Sequence, residues 1–502
     1  MGVVRSQGIK DSTVSYIGVA IGAINVIWVY PRFLTLEQQG IFQFLVSTAV
    51  ILSPLMLMGA SNLVIRYYPH FRNETRDDRA LLTLLLLFPL LGAAALVLLG
   101  ALARPWWEAA LSSRDPLIRN YLPYVAPIAL CLSVGMLLLN YAKNFMRFAV
   151  PSLLENPFVK LGSAAIAVLL FYRVYDLDGY IWGIVAVYGL MMLGQALYLF
   201  SIGELKLRRP TTLPAGVSLR EMSAYGFYSI LGSLGATMMT WLDKTMLPLL
   251  IAGKGTEALG IYAIMAYIGT VIDVPKRSLE KITAPLLAQA FAANDLPKIE
   301  ELYRKTSLNQ LIIGLLFFLG IWLNLDDLLR IMPNGRLYEE GRMVVLYLGL
   351  SALLDMVTGN NSQIILYSSY FRVNLYILLV LVAMNVAFNY LFVAVLNWHI
   401  EGAAVATLLA VGLFNLCKLG FIWGIWGMQP FTWAMLRALA IAGAIYIAVV
   451  LLPWPANPWW AMVLRSAFIT LVYGALVWRL RLSIDINDAV AAIIARLRRG
   501  RP

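Results

Sequence analysis

The sequence contains few of the residues on which metal and redox chemistry usually depends. Only two cysteines, Cys131 and Cys417, and two histidines, His70 and His399, occur in 502 residues. A disulfide framework or a Cys- or His-based metal site is therefore not expected. Charged residues are also scarce, at 13% against about 25% in an average soluble domain. A chain that is 61% hydrophobic and so weakly charged is not a soluble enzyme.

Long polar segments are absent as well. The connections between apolar runs are shorter than about twenty residues, whereas an independent soluble domain needs at least about fifty. A net charge of +12 could indicate a nucleic-acid partner, but no exposed basic domain exists to bind one. The short loops also argue against a membrane-embedded glycosyltransferase or polymerase. Any function must be carried out within or between the apolar segments.

Apolar runs of membrane-spanning length predict an all-α polytopic membrane protein with about fourteen transmembrane helices. The runs are approximately 12–33, 41–65, 80–102, 122–147, 157–175, 180–203, 221–252, 258–285, 306–328, 343–370, 373–396, 400–427, 432–453 and 458–480. Alternating loops place about 27 of the 39 Lys and Arg residues on the side of the amino terminus. Both termini are therefore predicted to be cytoplasmic.

Three pairs of motifs recur at a nearly constant offset. They are Gly40 and Gly260, offset by 220, Gly179 and Gly402, offset by 223, and Arg147 and Arg372, offset by 225. This agreement predicts an internal duplication of six helices, with two parallel lobes related by a pseudo-twofold axis along the membrane normal. The predicted division is a lobe at 1–203, a cytoplasmic linker at 204–220, a second lobe at 221–428, two further helices at 429–481 and a basic tail at 482–502. The tail is either an interfacial amphipathic helix or a solvated basic segment.

The residues around these motifs resemble the multidrug/oligosaccharidyl-lipid/polysaccharide (MOP) exporter superfamily. They are Tyr30 to Leu34, Glu37 to Phe42, Gly59, Arg66 to Pro69, Leu242 to Lys244, Ala258 to Tyr262, Pro285 to Ala288, Asn385 to Asn389 and Glu401 to Thr407. Within the superfamily the sequence looks like the polysaccharide-export, Wzx-like flippases. It is also similar to the fourteen-helix lipid II flippase.

The resemblance implies a non-enzymatic flippase in the bacterial inner membrane. Its substrate would be a polyprenyl-pyrophosphate-linked oligosaccharide for O-antigen of lipopolysaccharide, capsule or exopolysaccharide, moved by alternating access. Membrane lipids, a polysaccharide polymerase and glycosyltransferases would be its partners. The alternatives are a lipid II flippase, a cation-coupled multidrug exporter of the same superfamily and, from another class, a membrane-embedded glycosyltransferase or polymerase.

Basic residues inside or beside the spans are candidates to bind the anionic headgroup. They are Arg66, Lys143, Arg147, Lys244, Lys276, Arg277, Lys281 and Arg372. Lys276 lies 16 residues beyond Gly260, which is about 24 Å of helical rise toward the cytoplasmic leaflet. Asp273 and Glu280 are the expected local partners of the basic residues in this span. The alternative is that these cations extend to the membrane interface.

Oxygen-bearing side chains within other spans are candidates for a coupling cation. Asp243 is an ionisable residue within a predicted span, and Asn385 and Asn389 share one helix face. Together with Thr407 they resemble, by position, the sodium site of the lipid II flippase branch, except that Asn389 replaces a carboxylate. Na⁺ or H⁺ is thus the expected coupling ion, with no other cofactor. Alternatively, these residues form hydrogen bonds between helices. Asp355 is a further candidate for the coupling cation, as a carboxylate expected to be buried without an obvious partner in the sequence.

Overall fold

The computed structural model describes residues 13–14, 16–71, 79–111, 115–205, 218–488 and 491, and these contain helices but no strand. The chain divides into two compact units, Met1–Ala263 and Ile264–Pro502. This boundary differs from the predicted linker at 204–220, most of which lies outside the described residues, as does most of the predicted tail. The predicted domain division stays a prediction.

Eighteen helices are used in the description below. In the first unit they are α1 (Tyr16–Phe33), α2 (Leu36–Leu57), α3 (Ala60–Phe71), α4 (Arg79–Leu102), α5 (Arg104–Leu111), α6 (Pro116–Lys143), α7 (Ala149–Phe171), α8 (Leu177–Ser201) and α9 (Leu219–Leu250). Helix α10 (Gly255–Ala292) begins in the first unit and continues in the second. The second unit also contains α11 (Leu296–Trp322), α12 (Leu325–Ile331), α13 (Arg342–Val357), α14 (Asn361–Tyr367), α15 (Phe371–Val395), α16 (His399–Trp426), α17 (Trp433–Leu451) and α18 (Pro458–Arg479).

Most of these helices have the length and composition of membrane spans. Among the described residues, 12 spans qualify, or up to 13 if α13 and α14, bent by 47° at their junction, form one. Helix α9 has 32 residues but is less apolar than those spans, and it contains Asp243 and Lys244. Counting α9, each of the fourteen predicted apolar runs corresponds to a helix or a broken helix.

The starts of α2 and α10 make a reciprocal contact within the first unit. A methyl group on Gly40 would collide with the backbone of Thr256, and one on Gly260 would collide with the backbone of Leu36. Leu36 and Thr256 are separated by the same 220 residues as the two glycines. Elements related by a twofold axis produce such a contact, in which each copy presents the same residues to the other. The contact therefore supports the predicted duplication at this pair of helices.

Candidate functional site

A cluster of charged side chains lies within the second unit, where two lysines are buried and two carboxylates are half-buried. Lys276 on α10 forms an ion pair with Asp355 on α13, and its Nζ lies 3.6 Å from Oε1 of Glu280, one turn further along α10. Only 11% of the Lys276 side chain is exposed. Ionisable groups inside a span are costly to bury, so a cluster of this kind is a functional candidate. The partner that the sequence did not reveal for Asp355 is Lys276.

Asn415 on α16 connects this ion pair to the junction of α13 and α14. Its Nδ2 donates to Oδ1 of Asp355 at 3.0 Å. Its Oδ1 accepts from Oγ1 of Thr358 at 3.0 Å and from Nδ2 of Asn361 at 2.8 Å. Because Thr358 and Asn361 stand on either side of the bend, one amide side chain contacts both helices and the ion pair.

A second ammonium group lies one turn beyond Asn415. Lys418 is fully buried, its Nζ donates to Oγ of Ser362 at 2.5 Å, and it lies 3.2 Å from the centroid of the Phe414 ring. No ion pair within 4.0 Å is recorded for Lys418 in the part of the chain that the structure describes. Asn415, one turn before Lys418 on α16, links it to Asp355. The cluster thus contains two ammonium groups and two carboxylates.

Polar side chains from two further helices stabilise the bend. Gly359 has a φ of +62°, and a methyl group there would collide with Ser307 of α11. The next residue, Asn360, accepts from Nε2 of Gln310 at 3.0 Å and donates to Thr283 on α10. A glycine in the left-handed region and the buried Asn360 amide, whose oxygen and nitrogen are both hydrogen-bonded, account for a stable break inside an apolar run.

The cluster lies deep in its helices. Lys276 follows the start of α10 by 21 residues and Lys418 follows the start of α16 by 19. At 1.5 Å per residue these distances are about 31 and 28 Å, close to the roughly 30 Å thickness of the hydrocarbon core. If α10 and α16 each begin at one membrane face, both ammonium groups lie near the opposite face.

The other basic candidates lie outside this cluster. Arg277 pairs with Asp273 at 3.6 Å, as predicted from the sequence, and its side chain is 68% exposed. Lys281 is exposed, and Arg372 lies beside the Phe371 ring at the start of α15. The four candidates in the first unit do not share a contact. Arg66 lies 4.1 Å from the centroid of the Tyr225 ring, and Lys244 lies 4.6 Å from that of the Trp241 ring. Lys143 donates to Asn140 at 2.7 Å, and Arg147 is exposed after α6. Their roles stay predictions.

The residues proposed for a coupling cation belong to both units. Asp243 in the first unit is buried and accepts from Oη of Tyr262 at 2.9 Å. In the second unit Asn389 donates to Asn385 along one face of α15, and Thr407 is half-buried on α16. The sodium site stays a prediction.

Three polar residues of interest were not singled out from the sequence. Asn415 and Lys418 lie inside the apolar run 400–427. A polar or charged residue within such a run is the feature by which the sequence could have revealed them. Glu155, with Ser53, Ser233 and Thr237, lines a cavity of about 170 Å³ in the first unit. The sequence placed Glu155 before a helix predicted at 157–175, whereas α7 already begins at Ala149.

Comparison with known proteins identifies the family. The model of the family described as "Polysaccharide biosynthesis protein" matches residues 7–275, which is more than half of the chain. The chain belongs to this polysaccharide biosynthesis protein family. The MatE family model matches residues 230–391. No curated protein matches the sequence.

Solved structures with a similar fold include two membrane proteins. The lipid II flippase MurJ, in an inward closed conformation, has a TM-score of 0.71 at 13% identity, over 94% of this chain and 99% of that protein. An inward-facing multidrug resistance MATE transporter of the MOP superfamily has a TM-score of 0.62 at 14% identity, over 86% of this chain and 98% of that one. The predicted superfamily and the all-α polytopic fold are confirmed. The chain is a multi-pass membrane protein of this family, with 12 or up to 13 candidate spans among the described residues. The two similar solved structures are of a flippase and a transporter.

Proposed function

We propose that this member of the polysaccharide biosynthesis protein family flips a polyprenyl-pyrophosphate-linked oligosaccharide across the bacterial inner membrane by alternating access. The family assignment and the fold of a lipid II flippase support a lipid-linked substrate. The observation that carries the proposal is the cluster of buried Lys276, Asn415 and Lys418 around the half-buried Asp355. A pyrophosphate group cannot cross about 30 Å of hydrocarbon without such polar and cationic partners.

The topology predicted from the loop charges indicates on which side of the membrane the cluster lies. With a cytoplasmic amino terminus, α10 and α16 run from outside to inside, so Lys276 and Lys418 lie near the inner leaflet. Lipid-linked oligosaccharides are assembled there by glycosyltransferases, and a polymerase consumes them on the outer side. These enzymes are the proposed partners, with O-antigen of lipopolysaccharide, capsule or exopolysaccharide as the product and a Wzx-like role for this chain.

The composition of the cluster favours this function over drug export. A cavity for cationic drugs is expected to contain carboxylates and aromatic rings rather than ammonium groups, whereas here two lysines accompany two carboxylates. Lipid II has the same polyprenyl pyrophosphate and is the second candidate substrate. Na⁺ or H⁺ is the proposed coupling ion.

Reconstituted vesicles test the proposal directly. Purified protein would be incorporated with a fluorescent polyprenyl-pyrophosphate oligosaccharide, and exposure of the fluorophore to an impermeant quencher would report flipping. We expect flipping by the parent protein and its loss in Lys276→Gln, with Arg437→Gln, an exposed change on α17, as the matched control. Transport of a cationic dye without flipping of the lipid would overturn the proposal. Flipping of lipid II alone would reassign the substrate.

A further inference from the structure

We propose that Asp355 occupies an anion site of the second unit, and that a pyrophosphate group replaces its carboxylate when substrate binds. This inference rests on the proposed function and specifies the residues that hold the headgroup. The site consists of Lys276, Asn415 and Lys418. In the structure, the anion bound there is the chain's own carboxylate.

The groups around Asp355 are those that bind phosphate oxygens. One carboxylate oxygen accepts from the Lys276 ammonium and the other accepts from the Asn415 amide at 3.0 Å. An ammonium and an amide N–H that converge on a carboxylate present the same donors to a phosphoryl oxygen, and the charged donor gives the stronger bond. A pyrophosphate group can therefore accept hydrogen bonds from the same ammonium and amide groups, but only after the Asp355 carboxylate has moved away from them.

Lys418 provides a place for the released carboxylate. It is buried with a hydroxyl and an aromatic ring as its described partners, and a buried cation is strongly stabilised by an anion at contact distance. Asn415 lies one turn before Lys418 on α16 and already contacts Asp355. A rotation of the Asp355 side chain past Asn415 moves its charge from one lysine toward the other, so neither carboxylate nor ligand is left without a cation.

The charges along α10 act on the incoming anion in opposite directions. Glu280 lies 3.6 Å from the Lys276 ammonium and opposes a second anion. Arg277 and Lys281 on the same helix add two positive charges nearby. Both side chains are exposed, and Arg277 also pairs with Asp273.

The exchange would also act on the bend between α13 and α14. Asn415 contacts Thr358 before the bend and Asn361 after it, and it contacts Asp355 at the same time. When Asp355 leaves Asn415, the amide exchanges one of its bonds for a bond to the ligand. Substrate binding is in this way linked to the helix junction.

Inorganic pyrophosphate binding to the purified full-length protein, measured by titration calorimetry in detergent, tests the inference. Asp355→Asn should bind pyrophosphate at least about tenfold more tightly than the parent, because the internal competitor is gone. Lys276→Gln should lose binding. Asp326→Asn, which removes an exposed carboxylate paired with Arg342, is the control and should change nothing. Equal or weaker binding by Asp355→Asn would overturn the inference. Asp355→Ser serves the same purpose if the asparagine variant does not purify as a folded protein.

Lys418 is tested by a double variant. Lys418→Met should weaken pyrophosphate binding several-fold when Asp355 is present, because the displaced carboxylate has lost its second cation. The same change should have little effect in the Asp355→Asn background. Identical losses in both backgrounds would show that Lys418 does not receive Asp355 and would contradict the exchange.

The flipping assay separates this inference from the proposed function. Tighter pyrophosphate binding by Asp355→Asn without flipping of any lipid-linked sugar by the parent would retain the anion site and reject the function. Flipping by the parent with equal pyrophosphate affinity in both proteins would retain the function and reject the exchange.

Discussion

Arg465 and Asp327 form an ion pair that attaches the last transmembrane helix to the rest of the second unit. The guanidinium of Arg465 on α18 donates to the Asp327 carboxylate on α12 at 2.8 Å, and both side chains are largely buried. The same guanidinium donates to the carbonyl oxygen of Leu323 at 2.7 Å and lies 5.4 Å from the Trp454 ring. These contacts hold α18 against α12 and the end of α11.

Removal of Arg465 should therefore destabilise the protein strongly. Arg465→Ala leaves the Asp327 carboxylate buried without its main partner, at a cost of about 3–5 kcal/mol. Arg330 lies 3.3 Å from the same carboxylate but is 68% exposed, so Arg330→Ala should cost less than about 1 kcal/mol. The midpoint of thermal denaturation in detergent measures both. Equal shifts for the two variants would show that the buried pair is not the anchor.

The reciprocal glycine contact predicts matched losses in two places. Gly40→Ala and Gly260→Ala each insert a methyl group against backbone atoms of the other helix, where overpacking costs about 1–3 kcal/mol. Gly420→Ala on α16 has open space and should be neutral or stabilising by up to about 1 kcal/mol. Thermal denaturation again measures the difference. If either glycine tolerates alanine as well as Gly420 does, the two helices do not depend on that close approach.

The bend at Gly359 predicts a defect that has two parts. Gly359→Ala places a Cβ in the left-handed region, at a cost of about 1–2 kcal/mol, and against Ser307. Ser307→Gly in the same chain should relieve the collision but not the backbone strain. We expect flipping and thermal stability to fall in the single variant and to recover only in part in the double variant. Complete recovery would mean that the backbone angle is not under strain.

The sequence predicted the spans because each needs about twenty apolar residues, and this requirement is visible without tertiary contacts. It predicted the ends less well. One apolar run was predicted to begin at 157, whereas α7 begins at Ala149 and a π-helical turn at Leu154–Phe158 accommodates Pro157 within it. The run 343–370 was predicted as one helix, but it is broken around Gly359. Its apolar residues continue through the break, so hydropathy does not reveal it.

In the charged cluster, too, only contacts between residues close in sequence could be predicted. Glu280 lies one helical turn from Lys276, so local spacing was enough to predict that contact. Asp355 is 79 residues away in sequence, and its pairing with Lys276 depends on how α10 and α13 pack. Lys418 lies in an apolar run with no charged neighbour at helical spacing. The packing of α16 against α13 and α14 is what connects it to the other charges.

Asp243 provides a test of the coupling ion with a matched control. Tyr262 donates to its carboxylate at 2.9 Å, so Asp243→Asn and Tyr262→Phe both remove that phenol-to-carboxylate hydrogen bond, but only the first removes the charge. If Asp243 binds Na⁺, flipping in vesicles should increase with the Na⁺ gradient, and Asp243→Asn should abolish that increase. Tyr262→Phe should retain it at an equal or lower half-saturating Na⁺ concentration, because the phenol no longer competes for the carboxylate. Equal flipping by the parent protein in Na⁺ and K⁺ would exclude Na⁺. A dependence on the pH gradient that Asp243→Asn removes would then assign the role to H⁺.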